Sequence, residues 1–273
     1  MIEQLKYVNH RGDVLEFGNG KLFVNENDLR DFAWDITSKN DKISGFSKGI
    51  VKKAIPIVLK CSTEEEGIAL RNQLFEIFEK DVIAVSHGKF IIGDYYLKCF
   101  ITECAKSNYL LSKNFMTLKV TVATDQPYWV KETKTTFGYH EGSSGGNLDY
   151  NNDFPMDYSS NLIGIALNNP DFVPSNFKIR IYGACENPTV TIAGHDYSVN
   201  ASVAANEYLD IDSSEKTIML TKSDGTKDNY FNYRNRDSYI FEKIPSGISN
   251  VSRSSGFKFE ITLLEERGEP KWT

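Results

Sequence analysis

A chain of 273 residues, 40% hydrophobic and 25% charged, is long enough for one large or two medium domains that each bury a core. Its net charge of −6 and lack of a concentrated Lys/Arg run argue against a nucleic-acid binder, which must neutralise phosphates with a basic face. No apolar stretch reaches membrane-spanning length and residues 1–13 lack the apolar core of a signal peptide, so we expect a protein made in a cytoplasm that stays there or leaves inside an assembly.

The first elements read as strands. IEQLKYVN leads to a turn at Arg11-Gly12-Asp13, VLEF follows, and Asn19-Gly20 marks a tight hairpin turn before KLFV. The Arg-Gly-Asp tripeptide reads as turn chemistry rather than as a receptor motif. Residues 25–35 fit no template. Residues 36–49 are polar and rich in Gly and Ser, which points to a long loop or the tip of an extended hairpin. Within them Ile43 and Phe46 are large apolar residues in a polar setting; they either fold back on their own domain or dock on a neighbouring subunit. IVKKAIPIVLKC reads as a strand, with Pro56 marking an edge or a bulge.

Residues 62–81 carry the one convincing amphipathic helix. Gly67, Leu70, Leu74, Ile77 and Phe78 recur at spacings of three and four. Ser62 and Glu65 stand at capping-box spacing, and Glu64, Glu65 and Glu66 sit where the positive end of the helix dipole favours anions. VIAVS and KFIIG then flank a His87-Gly88 turn. YYLKCFITECAKS and FMTLKVTVATD are joined by a loop around Asn108–Asn114, and the unit closes at Pro127-Tyr128-Trp129.

Residues 131–161 are rich in Gly, Ser, Asn and Asp, so a domain boundary falls at their start, with Phe137, Tyr139, Tyr150 and Phe154 available to pin the segment. From Phe177 to Leu264 the chain reads all-β: FKIRIYG, TVTIAG, HDYSVN, EYLDID, KTIMLT, DNYFNY, SYIFEKI and FKFEITLL are separated by turn signals at the spacing of a β-sandwich, with no helix visible.

Motifs for nucleotide, phosphate or nucleophilic chemistry are absent. His10, His87, His140 and His195 are scattered, and His87 and His195 are expected to be solvated in hairpin turns. Cys61, Cys99, Cys104 and Cys185 lack zinc-ligand spacing and read as buried free thiols. Asp210, Asp212 and Glu215 lack the Gly-punctuated loop of a calcium site. No catalytic residue, cofactor or metal is therefore assigned. Tyr230, Phe231, Tyr233 and Tyr239 offer a possible sugar platform, although alternating strand aromatics are more often core and ordinary surface.

The C-terminal half carries a family likeness. Its marks are Tyr182-Gly183 followed by Asn187-Pro188, Glu207-x-Leu209-x-Ile211-Asp212, Lys216-Thr217-Ile218, Asp224-Gly225, Asn229 with Phe231, and the segment from Phe241 to Gly247. In that order they resemble the distal tail proteins of long, non-contractile-tailed phages and prophages of Gram-positive bacteria. The N-terminal half matches more loosely, through its strand–helix–strand and Pro127-Tyr128-Trp129. The resemblance implies a mainly β fold with one helix. Residues 1–130 would form a tail-tube-like β-sandwich, joined by 265–273, and residues 131–273 a galectin-like β-sandwich for attachment. It implies a non-enzymatic hub of a tail tip or baseplate, located in the virion after synthesis in the host cytoplasm. The hub would form a hexameric ring, with stacking of rings left open. Its implied partners are the major tail tube protein, the tail-associated lysin or tail fibre, and receptor-binding proteins, with no nucleic acid and no membrane. Ile43 and Phe46 are the candidate inter-subunit contact. The alternative is a carbohydrate-binding protein that uses the C-terminal sandwich for host cell-wall glycans.

Overall fold

A computed structural model of the chain describes residues 4–24, 27–112, 115–138 and 166–272. The described chain is strand-rich and divides into two compact units, Met1–Lys131 with Glu266–Thr273, and Glu132–Glu265.

In the first unit, short strands β1 (Leu5–Val8), β2 (Val14–Glu16) and β3 (Leu22–Val24) precede a hairpin, β4 (Asp35–Lys39) and β5 (Lys42–Ser47), and a long strand, β6 (Val51–Lys60). Helix α1 (Glu64–Ala84) follows, then β7 (Gly88–Ile92), β8 (Tyr95–Ser112), β9 (Phe115–Thr124) and β10, which starts at Trp129 and runs to Phe137. The 18-residue β8 serves two sheets: Tyr95–Cys99 pairs with β7, and from Phe100 onward it pairs with β9. One ladder runs β10-β8-β7-β1-β2 and the other β8-β9-β6-β3. Alternation along these strands sends Tyr7, Phe90 and Leu97 inward from one ladder and Ile55, Ile57, Val120 and Val122 from the other, where they meet Leu74, Ile77 and Phe78 of α1.

Several details depart from the sequence reading. Asn19-Gly20 does not join a β2–β3 ladder, because β2 pairs with β1 and β3 pairs with β6. The N-cap of α1 is Thr63 rather than Ser62: its hydroxyl accepts from the Glu66 N–H (3.2 Å), while the Glu66 carboxylate accepts from the Ser62 N–H (2.8 Å). Residues 82–84, read as a strand, are the last turn of α1, and the helix stops at Val85 in the left-handed conformation, φ 49°. Their apolar run is carried on the helix surface, where Val82 and Ile83 are exposed. His87-Gly88 is not a hairpin turn, for Gly88 opens β7. A Cβ there would lie 2.2 Å from the Tyr7 hydroxyl and 2.3 Å from a carboxylate oxygen of Asp81, so the close approach requires glycine.

Asp81 is fully buried in the last turn of the helix, where the dipole disfavours an anion. Three donors offset this: the Tyr7 hydroxyl (2.5 Å), the His10 N–H (2.8 Å) and His10 Nδ1 (2.6 Å). Burial, then the hydrogen bond to Asp81, pushes the Tyr7 phenol far above its usual pKa. The cluster ties the C-terminal end of α1 to β1 and to the turn after it.

The second unit contains the end of β10, β11 (Ala166–Asn169), β12 (Asn176–Tyr182), β13 (Cys185–Glu186), β14 (Thr189–Ile192) and β15 (His195–Ser198). Next come β16 (Ser202–Val203), β17 (Tyr208–Asp212), β18 (Thr217–Thr221), β19 (Lys227–Asn229), β20 (Gly247–Arg253) and β21 (Phe259–Arg267). One antiparallel sheet runs β19-β18-β17-β12-β21-β10 and a second β11-β20-β14-β15. Ile179, Ile211 and Ile261 of the first face Val190, Ile192 and Tyr197 of the second in one core, a β-sandwich.

Here too the sequence reading needs correction. DNYFNY is strand only at Asp228 and Asn229, the end of β19, and SYIFEKI is not a strand. Phe231–Tyr233 is a 3-10 turn, and Ile240, Phe241 and Ile244 plug the core from irregular chain. Two buried neighbours, Ile240 and Phe241, do not suit a strand buried on one face. The strand that completes the second sheet is instead Gly247–Arg253. Phe137 is buried and stacks on Phe259 (4.9 Å), whereas Tyr139, His140, Tyr150 and Phe154 lie outside the described residues. Among the cysteines Cys99 is buried, Cys61 and Cys185 are half-buried, and Cys104 is exposed.

Candidate functional site

The hairpin of Ile43 and Phe46 stands on a braced stem. Lys53 Nζ donates to the carbonyls of Asp28 (2.9 Å), Leu29 (3.1 Å) and Asp31, and Trp129 Nε1 donates to Leu29 (3.2 Å). The C-terminal segment holds the same stretch. Arg30 donates to the Pro270 carbonyl (3.0 Å), and its guanidinium lies 3.9 Å from the centre of the Trp272 ring. Lys48 Nζ sits 4.6 Å from the Trp34 ring and 4.4 Å from the Tyr128 ring. Burial pulls the Lys48 and Lys53 pKa values down, because water that would solvate the ammonium groups is displaced.

Above this stem, β4 and β5 are joined by Asn40 and Asp41, both with positive φ (52° and 57°), the requirement of a two-residue turn that matches strand twist. The stretch is therefore a hairpin and not a loop. Ile43 and Phe46, three apart, would face opposite sides of a regular strand. The register shifts between Thr37 and Ser38, so that Ile43 pairs with Ser38 and Phe46 with Ile36, with Ser44 and Gly45 together opposite Thr37. This bulge puts Ile43, Phe46 and Ile36 on one face. All three are exposed, at 60%, 60% and 62%, so the side chains do not fold back on their own domain.

Sequence reasoning missed Ile36, Trp34 and Phe32, which are also exposed, and Ile50. Phe32, Trp34 and Ile36 alternate with Asp and Ala, a period of two that marks a strand approach with one apolar side. The Trp34 and Phe46 rings meet edge to face, with centroids 6.5 Å apart. The surface is apolar at Ile36, Ile43 and Phe46, with Lys48 against the Phe32 and Trp34 rings at its edge.

The polar residues singled out in the sequence are engaged separately. His87 pairs with Asp125 (2.9 Å), and His195 Nε2 reaches the Tyr239 carbonyl (2.9 Å), so both are more enclosed than free turn residues. Asp210 forms a two-point pair with Arg180 (2.7 and 2.9 Å), and Asp212 accepts from the N–H groups of Ser214 and Glu215. Among the described residues no group of three His, Cys, Asp or Glu side chains is arranged to hold a metal. Tyr230 and Phe231 pack on the core, leaving Tyr233 and Tyr239 exposed.

No protein-family model matches the chain, and no curated protein matches it. Solved structures do. The phage SPP1 Dit protein, described as a paradigm of the hub adsorption apparatus of Gram-positive-infecting phages, is similar at a TM-score of 0.61 and 9% identity, over 97% of this chain and 99% of that one. A chain of the phage P2 baseplate in its activated conformation with Ca is similar at 0.63 and 15% identity, over 99% of this chain and 100% of that one. The same baseplate with Sr gives the same values. The chain therefore has, along nearly its whole length, a mainly β fold similar to those of the SPP1 Dit protein and the P2 baseplate chain.

Proposed function

We propose that this chain is a structural hub of a phage tail tip or baseplate. The observation that carries the reading is end-to-end similarity of fold to hub and baseplate chains, with both partners covered almost completely. Similarity of one unit alone would fit many β-sandwich proteins, because fold by itself does not fix function. In this reading the first unit closes a hexameric ring that continues the tail tube. The second unit, a galectin-like sandwich, faces outward and receives receptor-binding proteins and the tail-associated lysin or fibre. The protein works in the virion and carries out no catalysis.

Ile43 and Phe46 supply an inter-subunit contact. A monomer gains nothing from holding three large apolar side chains in water on a braced hairpin, and a ring gives them a surface to cover. Native mass spectrometry of the purified chain tests the reading. Species at six times the 30.9 kDa chain mass, or twelve times for stacked rings, are expected. A chain that stays monomeric at tens of micromolar overturns it.

A further inference from the structure

The first unit exposes a second apolar surface, on α1. Ile68, Phe75 and Val82 are seven residues apart, exposed at 55%, 59% and 42%, and lie in one row along the helix. The row runs along one flank of the buried face of Gly67, Leu74, Ile77, Phe78 and Asp81, roughly a quarter-turn from its centre, and packing within the chain leaves it largely uncovered. It is about 21 Å long at 1.5 Å per residue.

We propose that in the assembled ring the hairpin face of Ile36, Ile43 and Phe46 docks on the row of Ile68, Phe75 and Val82 of the next copy. The inference rests on the ring reading and names the two surfaces that form its contact. A closed ring with one subunit per step needs a head-to-tail contact between two different surfaces of the same chain, each complementary to the other.

These two surfaces match in chemistry and charge. Each carries three large apolar side chains; on the hairpin Ile36 and Phe46 stand opposite each other and Ile43 lies two positions further along, opposite Ser38, so this patch covers about 7 Å of the row at roughly 3.4 Å per residue. The charges around them are opposite. Between Asp35 and Lys53 five lysines stand against Asp35 and Asp41, whereas α1 carries five glutamates against Arg71 and Lys80, besides the buried Asp81. A basic hairpin is drawn to an acidic helix and repelled by a second hairpin, which favours the head-to-tail arrangement over a symmetric pair.

The test replaces Phe46 with the photo-crosslinker p-benzoylphenylalanine in the full chain, using an equal mixture of isotopically light and heavy copies so that crosslinks between chains are recognised by mass. The expected product joins residue 46 of one copy to a tryptic peptide spanning 61–71, 72–80 or 81–89 of another. In parallel, Ile68→Ser with Phe75→Ser is expected to lose at least nine-tenths of the ring population at a concentration where the wild-type chain is assembled, with an unchanged far-ultraviolet circular dichroism spectrum. Rings that form while the crosslink falls within 43–48, or anywhere else off the helix, overturn the pairing and leave the ring reading standing. A wild-type chain that forms no ring overturns both. Should the serine variant fail to fold, the crosslink alone decides.

Discussion

Ile43→Ser combined with Phe46→Ser is the sharpest test of the exposed hairpin. Full burial of an Ile or Phe side chain is worth about 1.5–3 kcal/mol. Each of these residues is already about two-fifths covered, leaving 60% to be buried by a neighbour. The remaining gain is about 1–2 kcal/mol each, and about 2–4 kcal/mol for the pair at every contact. At about 1.4 kcal/mol per tenfold, each contact weakens by roughly 30- to 700-fold. The monomer has little to lose, because these side chains touch solvent and the stem is held by Lys53, Trp129 and Arg30. Sedimentation velocity over a concentration series is expected to find a folded monomer where the wild-type chain sediments as rings. Rings that persist at the wild-type concentration refute the reasoning. A chain that unfolds instead shows that the two side chains stabilise their own domain.

Three other outcomes follow from the first unit. Asp81→Ala strands the buried Tyr7 hydroxyl and the His10 N–H, and is expected to cost about 3–5 kcal/mol in urea unfolding; a cost below about 1 kcal/mol would mean that the cluster adds little. Val85 is a β-branched residue in the left-handed region at the end of α1 and is 81% exposed, so Val85→Gly relieves strain without losing packing. A gain of about 0.5–1 kcal/mol is expected, read as a rise in Tm, and a fall would contradict it. The hydrogen bond from Lys80 holds the Asp13 carboxyl below its ordinary 3.8, and that from Lys21 holds Glu66 below 4.5. Because the folded-state values are depressed, their stabilisation is complete above the ordinary carboxyl range and is lost as pH falls through that range and the lowered values beneath it. Protection of the amides in the first half of α1, relative to their intrinsic exchange rates, is expected to fall there, and Lys21→Met to weaken that dependence; identical pH profiles of protection for the two proteins would exclude the Lys21–Glu66 pair as its cause.

What the sequence determined by itself was local. The period of 3.6 located α1, because a helix packed on one side must repeat Leu74, Ile77 and Phe78 on its inner face. Alternation located most strands, because each is buried on one face only. The apolar character of Ile43 and Phe46 in a polar stretch marked the candidate contact, since such residues need a partner wherever they lie. Tertiary structure decided the rest. The side to which Ile43 and Phe46 point depends on the bulge at Ser44 and Gly45, which exists only in the pairing of β5 with β4. Val82 and Ile83 read as the start of a strand but close the helix, and the hydrogen bonds to Asp81 from Tyr7 and His10, more than seventy residues away, tie that end down. SYIFEKI has strand composition yet folds as a core plug, with the neighbours Ile240 and Phe241 buried together with Ile244 in the core of the second unit instead of alternating across a sheet. Such choices turn on which distant segment offers a partner, and a one-dimensional pattern does not contain that information.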